Sequence, residues 1–508
     1  MKKTLVLLLC ALLCALPLTG CWQAEPEGEN TELIQPETPA EEAPSDDARL
    51  PEHLALPYIP DRSLDPVTCP DGMQQTVASL LCEGLFRLGG DFEPQPWLCS
   101  GYTVNETFTS YTFTLRSGVT FSDGSPLTAS DVRATLLRAK SSDRYGARLA
   151  AVSSITAGDG AVTVSLSAPN SGLPALLDIP IIKSGTENAP VGTGPYLFSQ
   201  AEDGAWLVAN QTWWAGAIQP TDRIALVEAA DRDTMLYRFT SRDVQLITAD
   251  LTGVSPVSVT GSISYQDVDT TVLQFIGCNA RRQPLDDPAL RRALGMAVNR
   301  SRIVSAFLSG HGSAAQFPVS PVSPLYPTAL ERTYSKDELT ATLAQSGYTP
   351  GRTLTLLVNS ENSFKTSIAA YLAESFTDAG IPVSVKALPW EEFTAALAAG
   401  NFDLYYGEVR LGADWDLTSL LATNGSLNTG GWGDESCDLL LRSFASATDR
   451  TAAMESLCRR LQAQMPVIPV CFKSTSVLTQ SGVLEGLTST AAEPFYGLAD
   501  CTVHLKKP

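Results

Sequence analysis

The chain has 508 residues, 44% of them hydrophobic and 18% charged, and a formal net charge of −20. Length and apolar content allow two or three lobes with real cores and exclude a disordered chain. The acidity argues against nucleic acid, whose phosphates demand clustered Lys and Arg.

Lys2 and Lys3 open the chain, and Leu5 to Leu16 follow as an almost wholly apolar run. A bilayer span needs ~20 apolar residues, so residues 1–20 read as a signal peptide for export and not as a transmembrane helix. Leu18-Thr-Gly-Cys21 comes next and resembles the bacterial lipobox, in which the cysteine thiol accepts diacylglycerol before cleavage. Cys21 is thus the expected lipidation site, the anchor of a palmitate-bearing lipoprotein on the outer face of the cell membrane, and buried acyl methylenes at ~0.8 kcal/mol each make such anchoring durable. Loss of Lys2 and Lys3 with the signal takes the net charge from −20 to −22. Residues 21–57 are rich in Glu, Asp, Pro and Thr, with Arg49 the one Lys or Arg after the cysteine. Such a stretch buries too little apolar surface to offset its chain entropy and reads as an acidic tether.

Past Pro57 the pattern changes. Tyr111 to Arg116 alternates, with Tyr111, Phe113 and Leu115 on one face, as in a half-buried strand. Thr128 and Asp131 have capping-box spacing for a helix to about Lys140. Ile155 and Val162–Leu166 flank a Gly158-Asp159-Gly160 turn, a hairpin signal. Asp287-Pro288 supplies an N-cap and a first-turn proline. Leu290, Ala293, Leu294, Ala297 and Val298 then recur as a core-facing stripe, with Arg291, Arg292 and Asn299 off it.

Residues 353–406 read as strand, helix, strand, helix, strand: 353–358, 367–377, 383–388, 391–399 and 402–406. This alternation implies a mainly parallel sheet with helices on its faces. The first turn, Asn359 to Ser363, has no glycine, which excludes a dinucleotide or P-loop site there.

Of eleven cysteines, Cys10 and Cys14 leave with the signal and Cys21 is the expected anchor. The other eight allow disulfides or buried thiols, and sequence does not choose between these or among pairings. There are three histidines, His53, His311 and His504, and no HExxH, GxSxG or SxxK string. Zinc-peptidase, hydrolase and penicillin-binding chemistry lack their parts, so no catalytic residue, metal or cofactor is expected and the chain reads as a non-enzyme.

Ser63-Leu-Asp-Pro66 and the run Tyr111 to Val132 resemble the family 5 extracellular solute-binding proteins, the oligopeptide, dipeptide and nickel receptors of ABC importers. Gly192-Thr-Gly-Pro-Tyr196 matches a further element of that family. Asn279, Pro284 to Asp287, Arg291, Ala293, Leu294, Ala297 and Asn299-Arg300 match another, with Asn299 in place of the commoner aspartate. The matches run in order from about residue 58 to 500.

The resemblance implies an α/β, two-lobed, periplasmic-binding-protein-like fold of type II with an extra subdomain in the first lobe. Lobe I would span 58–270, with the subdomain at about 88–190, and 472–508 would return to it; lobe II would be 271–471. Gly192 and Gly194 are expected to permit backbone turns, and Arg116 and Asp123 to make structural hydrogen bonds. Trp213 and Trp214 occupy a family position and are expected to be structural.

By the same resemblance Asp414 is the candidate carboxylate for a peptide ammonium, with Asp416 as the alternative. Trp390, Trp415 and Trp432 are candidate walls of the ligand pocket, and Arg410 a candidate partner for a ligand carboxylate. Asp416-Leu417 stands where the family often has Asp-Pro, which leaves pocket shape and peptide specificity open. The implied partners are a peptide or other small solute and the permease and ATPase subunits, for a protein expected to be monomeric. A nickel chelate, haem or another small solute, or ligand sensing without transport, are the alternative readings.

Overall fold

A computed structural model describes residues 50–507 apart from 70, 71, 217, 218, 255, 256, 258, 260 and 334. The expected signal, Cys21 and the tether up to residue 49 lie outside the described residues. The last four residues expected of the tether, 54–57, belong instead to Leu54–Tyr58, a wholly buried strand paired in parallel with Arg223–Glu228. Its alternation-free apolar run, Leu-Ala-Leu-Pro-Tyr, suits a strand covered on both faces.

Arg223–Glu228 continues a four-stranded sheet through Gly204–Ala209 to Tyr196–Ala201. A second, antiparallel sheet is ordered Cys99–Val104, Ser110–Leu115, Ala161–Leu166, Val152–Ala157. Tyr111 and Phe113 point into its core, where Val132, Leu136 and Ala139 of the helix Ala129–Lys140 cover them. Thr128 caps that helix by a reciprocal capping box with Asp131, as the spacing predicts. Such a cap contributes about 1 kcal/mol.

The central sheet has seven strands. Its two longest, Ile263–Cys278 and Val467–Gln480, pair antiparallel, with a register shift between Asp269 and Leu273. On one side of the shift Val268 and Val477 enter a core with Leu54, Tyr196, Phe495 and Cys501. On the other side Ile276, Ile468 and Val470 enter a core built wholly from residues 276–471. The two strands thus carry the chain between separate cores, and the residues after 480 fold back onto the first.

In the second region Leu354–Asn359 lies between Val383–Leu388 and Leu404–Arg410 and is parallel to both. Side chains alternate across this sheet. Leu356, Val358, Leu404 and Tyr406 face one core; Leu357 and Tyr405 face the other. Pro288–Met296 and Ser363–Asp378 cover the first face, Trp390–Ala398, Glu435–Ala445 and Arg450–Gln464 the second. A fully buried side chain such as Phe376 contributes ~1.5–3 kcal/mol by leaving water.

Two local expectations change. Arg291, read as lying off the apolar stripe, is buried. Its guanidinium donates to the carbonyls of Leu285, Asp286, Gln464 and Met465, tying two helix ends together. Gly192 and Gly194 are needed for close approach rather than for a turn. Neither has a positive φ, and a Cβ at either would collide with the backbone at Leu80–Leu81. The eight described cysteines are all buried.

Candidate ligand-binding site

In open α/β sheets ligands bind outside the carboxyl ends of the parallel strands, where the peptide chain leaves the sheet. Here those ends are Asn359, Leu388 and Arg410, and the side chains beyond them are polar. Glu408 and Arg410 are both exposed, as residues two apart on one strand face should be. Glu408 accepts from Gln274 at 3.1 Å and pairs with Lys365 at 3.3 Å. Lys473, on the second crossing strand, lies 2.5 Å from Asp250 and 4.0 Å from Glu408. Arg410 has no ion-pair partner among the described residues. The first turn, Asn359 to Ser363, also meets the first region: the Asn362 amide donates to the Thr252 carbonyl at 3.5 Å.

The chain then turns through Gly412 to Asp414, which is only 5% exposed. Its carboxylate accepts from the Asn170 amide at 2.8 Å, and its carbonyl accepts from Arg450. Burial pushes the Asp414 carboxyl above its usual range, against the Asn170 hydrogen bond that lowers it. Next to this contact, Ser171 donates its amide to Ala445 at 2.7 Å and its hydroxyl to Phe444 at 3.2 Å. Gly172 carries no side chain because one would strike Arg450 and Asp414. Residues 170–172 therefore seat directly on the second region, and in this conformation Asp414 faces them and not solvent.

The aromatic candidates separate. Trp415 is fully buried with a φ of 56°, edge-on to Phe92 at 5.4 Å and to Phe472 at 5.8 Å. Trp432 is buried in the same core. In this conformation both act as packing. Trp390 is 57% exposed, stacks on Phe393 at 5.9 Å and gives its backbone N–H to Glu361. It stands at the carboxyl end of Val383–Leu388, on the same sheet edge as Arg410. Asp416 caps the short turn at Thr418 at 2.9 Å. Lys365, Glu408 and Lys473 were not singled out from the sequence; the alternation of Glu408 and Arg410 at a strand end was the available signal.

A second polar cluster lies in the first region. Glu83 is buried, and its carboxylate accepts from Trp97 and Trp214 at 2.8 and 2.7 Å, from Trp213 at 3.3 Å and from Thr193 at 2.6 Å. Trp213 and Trp214 are thus structural, as expected. Arg116 gives its guanidinium to the Trp97 carbonyl at 2.9 Å, and Asp123 accepts from Ser125 and Lys183.

Residues 93–431 match the model of the bacterial extracellular solute-binding proteins, family 5 Middle. The glutathione-binding protein GsiB of Pectobacterium atrosepticum is 26% identical over 438 residues, covering 76% of this chain and 81% of that protein. GsiB of Salmonella typhi is 24% identical over 344 residues, covering 64% of this chain and 67% of that protein. Among solved structures, the periplasmic murein tripeptide-binding protein MppA in its unliganded open form superposes with a TM-score of 0.76 at 20% identity, covering 89% of this chain and 98% of that one. A nickel ABC transporter protein of Bacillus halodurans gives 0.73 at 20% identity, over 90% and 99%. The fold is therefore that of the two-lobed type II binding proteins.

Proposed function

The chain belongs to the bacterial extracellular solute-binding proteins of family 5, and on that premise we propose that it captures a short peptide between its lobes and hands it to its importer. As a member it is the substrate-binding component of an ABC importer and works outside the cytoplasm. The observation that carries the peptide reading is the exposed sheet edge bearing both signs of charge. Glu408 and Arg410 are exposed at the end of Leu404–Arg410, where the half-buried Lys365 and the buried Lys473 are ion-paired with Glu408 and Asp250. A peptide is a zwitterion, and complementary charges in a water-poor cleft hold each end. Leu404–Arg410 is paired along Ile263–Cys278 up to Arg410, but on its other side it pairs with Leu354–Asn359 only at Leu404 and Tyr405. That side past Tyr405 suits main-chain pairing, which ignores side-chain identity. Relatives named for glutathione and for murein tripeptide support the same ligand class.

In this reading Asp414 receives the ammonium when Asn170 withdraws, Arg410 meets a carboxylate, and Trp390 forms an exposed wall. Trp415 and Trp432 support the pocket from behind. Cys21 carries the lipid and the chain acts as a monomer. Native mass spectrometry of the purified protein tests the ligand class: a bound mass that fragments as a peptide is expected. A metal chelate or a non-peptide solute in its place would reject the reading. Replacing Cys21 by Ser should release the protein into the soluble fraction; unchanged membrane association would remove the anchor.

A further inference from the structure

The second region contains a cavity of about 660 Å³ lined entirely by residues between 292 and 469. None of Trp390, Glu408, Arg410 or Asp414 lines it. Its size falls within the ~300–1,000 Å³ of small-molecule sites. The floor is apolar, formed by Met296, Val298, Phe317, Leu461 and Met465. Four arginines, Arg292, Arg300, Arg332 and Arg459, also line it, against Glu338 as the one acid among the described lining residues. In a chain with 55 acidic and 35 basic residues, that local excess of positive charge runs against the whole.

The arginines are poorly neutralised. Arg300 donates to the carbonyls of Ala315 and Pro469 at 3.0 and 2.8 Å, and Arg292 to that of Ala463 at 2.9 Å. Arg300 is buried enough to fall to about 10, which leaves it cationic at neutral pH. Arg332 has no ion-pair partner among the described residues; Arg459 alone pairs, with Glu455 at 2.7 Å. Arg292 and Arg332, without an ion-pair partner among the described residues, leave a positive potential beside the apolar lining.

We propose that this cavity is a second ligand site, separate from the sheet-edge site, for a small amphipathic carboxylate. The apolar body fills the floor and the carboxylate meets Arg292 and Arg332, whose planar donors fit it bidentately.

Calorimetric titration with decanoate, and with decanol as its uncharged counterpart, tests this. Wild type should bind decanoate at one site, and decanol more weakly. The Arg292→Ala/Arg332→Ala variant should lose about tenfold or more for decanoate while its weaker binding of decanol is unchanged. Arg410→Ala, at the sheet edge, should bind decanoate as wild type does. If the double variant does not fold, judged by circular dichroism, Arg332→Ala alone at its exposed position carries the test. No binding by wild type, equal binding after the arginine changes, or loss of binding in Arg410→Ala would each overturn the proposal.

Discussion

The amide of Asn170 donates to the carboxylate of Asp414 at 2.8 Å across a separation of 244 residues. It joins the loop after the Ala161–Leu166 strand to the loop after Leu404–Arg410, and it occupies the carboxylate that the family resemblance assigns to ligand. In the proposed reading, where Asp414 receives the ligand ammonium, ligand capture and contact between the two regions compete for one group.

Asn170→Ala removes the side-chain donor and leaves a buried carboxylate short of a partner. The expected loss is about 1–3 kcal/mol of stability, read from urea melts. The same change should not weaken peptide binding, because the competitor for Asp414 is gone. A parallel loss of peptide affinity would mean that Asn170 itself contacts ligand.

Asp414→Asn keeps the shape and removes the charge. Peptides with a free amino terminus should bind less tightly by ~2–5 kcal/mol, and N-acetylated peptides should be unaffected. Equal affinity of free and acetylated peptides in the wild type would assign the ammonium elsewhere. Glu408→Gln is then the next variant to measure.

Glu83 supplies a pH dependence. Burial raises its carboxyl to about 7, against hydrogen bonds from Thr193, Trp214 and Trp97. In the unfolded chain a glutamate titrates near ~4.3. Between these values the folded state holds a proton that the unfolded state has lost, so this contribution is fully present below the lower value and disappears as pH rises through about 7. Glu83→Gln should remove that component from melting curves taken at several pH values. Tryptophan fluorescence of the wild type should titrate with a midpoint near the same pH. A flat profile would show that the donors keep Glu83 ionised throughout.

Gly192→Ala should cost about 1–3 kcal/mol through overpacking against the Leu81 carbonyl. Gly351→Ala, with open space around it and an ordinary φ, is the control and should be close to neutral. Equal melting temperatures for the two would contradict the close-approach account.

Two expectations failed for the same reason. Arg291 follows the helical period faithfully, yet the ends of two helices meet over it and bury it among carbonyls. Gly192 looked like a turn residue because glycine usually is one, whereas its reason is the chain at Leu80–Leu81. Helical period and residue type describe a residue's own neighbourhood. They do not say what packs against it from a hundred or more residues away.

The sequence by itself determined what short-range physics controls. The capping box at Thr128, the hairpin about Gly158–Gly160, the N-cap at Asp287 and the βαβαβ run all stand within a residue or a few of their expected places. Ordered family strings determined the two-lobed fold. Tertiary structure alone decided that Trp415 and Trp432 are buried among core side chains, that Trp390 and Arg410 share an exposed edge, and that Asp414 meets Asn170. It also gathered Trp97, Trp213 and Trp214 around Glu83, and four arginines around one cavity. Caps and periods are fixed by neighbours a few residues apart, so they can be read along the chain. A site is fixed by which distant segments share a volume, and that depends on how whole layers pack.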